Sequence, residues 1–192
     1  MKSSVVTLTP KPQLEEDKLV EQAVGGDTHA FAMLYDSYVD RIYRFVFFRV
    51  GDHETAQDLT SQIFLKAWEH LGSYEMRGWA FSAWLFRIAR NLIIDFYRTR
   101  KETVPLEPDG DRNSDPMEDV DGTVAQYLEN ERLQQAMQHL TGDQRTVLTL
   151  KFLEGFSTAE IGQVMGRRQG AIRTLQLRGL RALAKILGGE ND

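Results

Sequence analysis

DLTSQIFLKAWEHL (58–71), GSYEMRGWA (72–80) and FSAWLFRIARNLIIDFYRTRK (81–101) form the stretch whose reading decides the fold. It holds two helical patterns joined by an aromatic loop. In the second pattern Phe81, Leu85, Ile88, Ala89, Leu92 and Phe96 recur at the three-and-four spacing of an α-helix and make a core face. At about 100° per residue, Arg87, Arg90, Asn91, Tyr97, Arg98 and Lys101 fall on the opposite side, with Ile94 and Asp95 among them. A basic stripe beside an aromatic suits a phosphate backbone with bases lying next to it. A solvated charged face has the same pattern, so the stripe alone does not decide.

Upstream the chain reads as helix throughout. Prolines 10 and 12 mark a loose tail over 1–12, after which Leu14, Leu19, Ala23 and Val24 give a short helix ending at Gly25-Gly26. Asp27 caps a longer one, whose apolar face comprises Phe31, Leu34, Tyr35, Tyr38, Ile42, Phe45 and Val46 and which stops at Gly51. Asp52 starts the next, with Ala56, Leu59, Ile63, Phe64, Ala67, Trp68 and Leu71 inward and Asp58, Ser61, Gln62, Lys66 and Glu69 outward. Residues 13–100 therefore form one helical domain.

Downstream, periodicity disappears over PLEPDGDRNSDPMEDVDG, and residues 101–123 read as an acidic, flexible linker. A second helical domain occupies 124–187. Thr141 with Gln144, and Ser157 with Glu160, are capping-box pairs, and Gly166 permits a tight turn before QGAIRTLQLRGLRALAKIL: a helix-turn-helix pattern. In its last helix Ile172, Leu175, Ala182, Leu183 and Ile186 face inward, while Gln169, Arg173, Thr174, Leu177, Arg178 and Arg181 face out, with Arg168 just before them. Six basic residues and no acid lie between Met165 and Leu187, which suits a helix entering the major groove. The expected fold is all-α: two small helical domains joined by the linker.

The charge distribution agrees. The net charge of −5 divides into 12 basic and 13 acidic groups over 1–100, 2 and 8 over 101–123, and 9 and 7 over 124–192. The acid sits in the middle, so the overall balance does not argue against nucleic acid. With no cysteine, disulfides and thiolate metal sites are excluded. His29, His53, His70 and His139 lack metal-ligand spacing, and no glycine-rich phosphate loop is present, so neither cofactor nor metal is expected and catalysis has no candidate residues. The N-terminus has too short an apolar run for a signal peptide. A cytoplasmic protein without membrane insertion is expected.

Asp58, Leu59, Phe64, Ala67 and Trp68, followed by Trp84, Leu85, Arg87, Ile88, Ala89, Asn91 and Asp95, resemble the second conserved region of bacterial sigma-70-type initiation factors of the extracytoplasmic-function (ECF) subfamily. The helix-turn-helix then resembles the fourth region. The resemblance implies a non-enzymatic subunit that binds core RNA polymerase, on the β′ clamp helices and β flap, and guides it to promoter DNA, both double- and single-stranded. It implies that Asp58, Gln62, Leu65, Lys66 and Glu69 dock on the clamp helices. Tyr74, Arg77, Trp79 and Phe81, with Arg87, Arg90, Asn91, Tyr97, Arg98 and Lys101, would serve the minus-10 element, the loop holding a flipped base and the arginines the phosphates. Arg168, Gln169, Arg173, Thr174, Leu177, Arg178 and Arg181 would serve the minus-35 element. An anti-sigma protein is the implied antagonist. Ser61-Gln62 departs from the Gln-Glu of many relatives, Gly162 replaces a common alanine, and Leu175 a frequent basic residue. The competing readings are a stand-alone helix-turn-helix regulator, which leaves the first domain's stripe and loop unexplained, and a helical adaptor that binds only protein.

Overall fold

The computed structural model describes residues 13–75, 79–103 and 132–188. The expected tail, Arg77, the side chain of Lys101 and the linker beyond Thr103 lie outside the described residues.

Four helices build the first domain: α1 (Gln13–Val24), α2 (Thr28–Val50), α3 (His53–His70) and α4 (Phe81–Thr103), with a 3₁₀ turn at Leu71–Ser73. Their ends follow from local chemistry. The Asp27 carboxylate accepts from the backbone N–H of His29 (2.8 Å) and Ala30 (3.2 Å), starting α2. Gly51 ends it at φ 76°, a conformation that only glycine adopts freely, and Asp52 accepts from Thr55 N–H (2.8 Å) to start α3. Each such N-cap contributes about 0.5–2 kcal/mol. Leu34, Ile42, Phe45, Ile63, Leu85, Phe86 and Ile93 are enclosed where α2, α3 and α4 meet. Trp68 departs from its expected inward position. It lies at the edge of the α2–α3 groove, 39% exposed, with its ring 4.9 Å from that of Phe31.

The second domain has a helix over 132–138 (α5), α6 (Gly142–Leu148), a π-helical turn (Thr149–Leu153), α7 (Thr158–Met165) and α8 (Gln169–Gly188). Both capping boxes are present, Thr141 with Gln144 and Ser157 with Glu160. Gly166, at φ 63°, turns α7 into α8, and Arg167 N–H donates to the Gly162 carbonyl (2.9 Å). A Cβ on Gly162 would stand 2.7 Å from the Arg167 carbonyl oxygen. The turn has closed around that missing side chain.

The all-helical architecture and the two helical domains stand as read from the sequence, and among the described residues there is no strand. The domains are in contact. α7 lies on α4 and α6 on α2, so Phe156, Ile161, Val164, Met165 and Ile172 continue the core of the first domain. The Phe86 and Phe156 rings meet edge to face at 5.0 Å. α4 also runs on to Thr103, past the expected domain end at residue 100.

Candidate nucleic-acid interface

At the N-terminal end of α4 the chain walls a cavity of about 450 Å³, lined by Ser73, Tyr74, Glu75, Trp79, Trp84, Arg87, Ile88 and Asn91. Tyr74, expected to clasp a base, lines the cavity but is only 8% exposed, and Phe81, also expected to do so, is 4% exposed and does not line it. Phe81 begins α4 on its core face, with Tyr38 at 5.6 Å and Tyr74 at 5.8 Å between ring centroids. The Tyr74 hydroxyl donates to the Trp79 carbonyl (2.7 Å), tying the two ends of the loop together. Burial, with Asp17 and Glu16 adding to it, raises the Tyr74 pKa and keeps that donor neutral. Half-buried Trp79 and Trp84 supply the cavity's partly open ring surface.

The polar side of this cavity comes from α4. The Arg87 guanidinium lies 4.8 Å from the Trp79 ring centroid, and exposed Asn91 follows one turn on. A cation and an amide beside two indole rings offer stacking, charge for a phosphate and hydrogen bonds for a base edge in one place. Arg98, also exposed, pairs with Asp95 at 3.2 Å. Two further members of the stripe, Arg90 and Tyr97, are drawn inward. Arg90 pairs with Asp143 of the second domain at 3.3 Å, and the Tyr97 hydroxyl donates to the Arg49 carbonyl (2.7 Å). Arg49 itself sits 5.7 Å from the Tyr97 ring, and burial pulls its pKa down.

On α8, Gln169, Arg173, Thr174, Leu177, Arg178 and Arg181 are all exposed, as is Arg168. None of these four arginines makes an ion pair among the described residues. The opposite face seats the helix: Ile172 is buried, and Gly179 lets α8 approach α6, where a Cβ would stand 3.3 Å from the Leu148 side chain. On α3, Asp58, Gln62, Leu65, Lys66 and Glu69 are exposed on one face. Leu65, Trp68 and Tyr35 add an apolar patch there that periodicity missed, since it placed Trp68 and Tyr35 inward.

Residues 34–103 match the family model for Sigma-70 region 2, and residues 130–183 that for Sigma-70, region 4. The ECF RNA polymerase sigma factor SigW of Bacillus subtilis is 32% identical over 180 residues, covering 88% of this chain and 95% of SigW. The chain belongs to the ECF sigma factors. BldN of Streptomyces coelicolor, another ECF sigma factor, is 40% identical over 171 residues; the match covers 88% of this chain and 65% of BldN's length. The solved structure of RpoE in complex with the anti-sigma factor NepR from Bartonella quintana has the same fold, with a TM-score of 0.66 at 24% identity over 82% of this chain and 96% of that one. As an ECF sigma factor the chain serves promoter-specific transcription initiation, with core RNA polymerase and promoter DNA as its partners. No helix among the described residues is long and apolar enough to cross a membrane.

Proposed function

We propose that this sigma factor divides promoter recognition between two chemically different surfaces, and that it adds no catalysis of its own. The cavity at the start of α4 receives one unstacked base of the minus-10 non-template strand, held by the Trp79 and Trp84 rings with Asn91 on its edge. Arg87 and Arg98 hold the neighbouring phosphates. The outer face of α8 enters the minus-35 major groove, with Arg173 and Arg178 on base edges, Leu177 on a thymine methyl, and Arg168, Gln169, Thr174 and Arg181 around them. Asp58, Gln62, Leu65, Lys66 and Glu69 of α3 meet the polymerase clamp helices of β′, while the second domain meets the β flap. By likeness to the RpoE–NepR pair, an anti-sigma protein is the antagonist. The work takes place in the cytoplasm, with the polymerase.

The observation that carries this reading is the aromatic cavity with Arg87 and Asn91 beside it, in the same chain as a helix-turn-helix whose basic face is exposed. The test is reconstitution: purified chain plus sigma-free core polymerase on a promoter library, with sequencing of RNA 5′ ends. Defined start sites sharing upstream elements are expected. A specific DNA footprint without polymerase, and no RNA with it, would establish the stand-alone regulator instead.

A further inference from the structure

The turn that leads into α8 is built with almost no slack. Gly166, at φ 63°, ends α7, and only Arg167 separates it from Arg168. The Arg168 carbonyl accepts from the N–H groups of Ala171 (3.0 Å) and Ile172 (3.2 Å) and so opens α8. Arg167 N–H donates to the Gly162 carbonyl (2.9 Å), which draws the Arg167 backbone against α7. Its carbonyl oxygen thereby occupies the space of a side chain, 2.7 Å from where a Cβ on Gly162 would stand. Carbon–oxygen contacts lie at about 3.3–3.6 Å, so an alanine here has to push that oxygen back by roughly half an ångström. A backbone atom cannot swing aside as the end of a side chain can.

Gly162 lies buried within α7, where glycine is disfavoured relative to alanine, and it needs no left-handed backbone. What it supplies is room for Arg167. A displacement forced at Arg167 has one place to go. Ile172, with no solvent exposure, and Gly179, buried beside Leu148 of α6, seat α8 from the end of its first turn onward. Arg168 and Gln169, both exposed, stand before these anchors, whereas Arg173 follows Ile172 directly and Arg178 adjoins Gly179. Movement of Arg167 therefore passes into Arg168 and Gln169 and is damped further along. A hydrogen bond to a base edge tolerates only about 0.5 Å, between about 2.7 and 3.2 Å. A shift of that size decides which edges the start of α8 can reach.

We propose that Gly162 is a positioning residue for minus-35 recognition. By leaving room for the Arg167 carbonyl it sets where Arg168 and Gln169 enter the major groove, and hence which bases are preferred there. It touches no DNA itself. The proposal rests on the reading of α8 as the minus-35 helix, whose first residues are the ones brought to base edges.

The test is transcription by core polymerase with the full chain on a promoter library randomised over the minus-35 element, read as RNA abundance per template. Arg168→Ala and Gln169→Ala first mark the positions read by the start of α8, and Arg178→Ala those read by its middle. Gly162→Ala should change base preference at the first set by about 5-fold or more, the lower end of what a bidentate contact discriminates. Preference at the second set and at minus-10 should stay parental. Gly179→Ala controls for a merely loosened helix: its Cβ meets the Leu148 side chain at 3.3 Å, and the first set should not change. Parental preference from Gly162→Ala, a uniform fall over all minus-35 sequences, or the same change from Gly179→Ala overturns the proposal. Should Gly162→Ala lose helix by circular dichroism, Arg167→Gly frees the same carbonyl from the other side and should relax the first set alone; an unaltered first set then overturns it too. Failure of the sigma reading is distinct: the parent yields no promoter-specific RNA, or Arg168→Ala, Gln169→Ala and Arg178→Ala leave every minus-35 position unchanged.

Discussion

α4 and α8 carry nearly the same signature, a long amphipathic helix with arginines on its outer face, and the fold treats them differently. The outer face of α8 is exposed from Gln169 to Arg181, and its arginines have no ion-pair partners among the described residues. That of α4 is divided. Near its start Arg87 and Asn91 flank the aromatic cavity, whereas one turn away Arg90 is taken up by Asp143. A helix that lies in an intact groove needs an unbroken face of side chains. A helix that holds an extracted base needs a pocket at one end, and the rest of its surface is available for contacts within the protein.

If α8 reads duplex DNA, Arg173→Ala combined with Arg178→Ala should have the largest effect. Each lost bidentate base contact costs about 1–3 kcal/mol. The loss should be confined to promoters with a good minus-35 element, while polymerase binding, followed by fluorescence anisotropy, stays at the parental value. An equal fall in polymerase binding would erase the distinction between the two helices.

Trp79→Ala should remove stacking of about 1–3 kcal/mol on one base. Permanganate reactivity of the minus-10 thymines should fall, and the preference at one minus-10 position should relax. Equal loss on every minus-10 sequence would mean that the cavity supports the fold and reads nothing.

Smaller changes are expected for Arg87→Ala and Arg98→Ala, because exposed phosphate contacts are non-specific. Each should lower the slope of log affinity against log salt by about 0.7–0.9 while leaving promoter ranking intact. A change in ranking would move these residues into the base-reading set.

The smallest effect distinguishes the domains by pH. Burial, then the neighbouring Glu16 carboxylate, raises the Tyr38 pKa well above its ordinary value of 10.0, and burial raises Tyr43 and Tyr74 as well. A tyrosine held neutral in the folded state contributes stability that is full below pH 10 and is lost as pH rises through the folded value. Residues 132–188 contain no tyrosine, and all three tryptophans lie in the first domain. Tryptophan fluorescence should therefore report declining stability above about pH 10, and Tyr38→Phe should flatten that decline. An unchanged slope would assign the loss to other groups.

Much of this was legible in the sequence because its causes are local. Asp27, Gly51, Asp52 and the two capping boxes act within four residues of themselves, and each stands in the structure where its pattern placed it. The seam between the domains left no such trace. Arg41 and Glu154 are 113 residues apart, and Arg90 and Asp143 are 53 apart, so no period joins them. For the same reason Arg90 was indistinguishable from Arg87 along the helix. Trp68 and Tyr35 met the inward period, yet they lie at the rim of the α2–α3 groove, where only the packing angle decides exposure. Phe81 fits both the core spacing of α4 and the aromatic loop, and it lies buried on the inner face of α4. Trp84, which stands outside the core spacing of α4, lines the cavity.

The division between α4 and α8 is tested most directly by photocrosslinking. 5-Iododeoxyuridine is placed in turn at each position of the minus-10 non-template strand and of the minus-35 element, and the linked peptide is identified by mass spectrometry, with and without core polymerase. The expected result is one minus-10 position linked to Trp79 or Trp84 only when polymerase is present, and minus-35 positions linked only to α8. Crosslinks from Trp79 or Trp84 to minus-35 positions, or to fully paired DNA without polymerase, would contradict it.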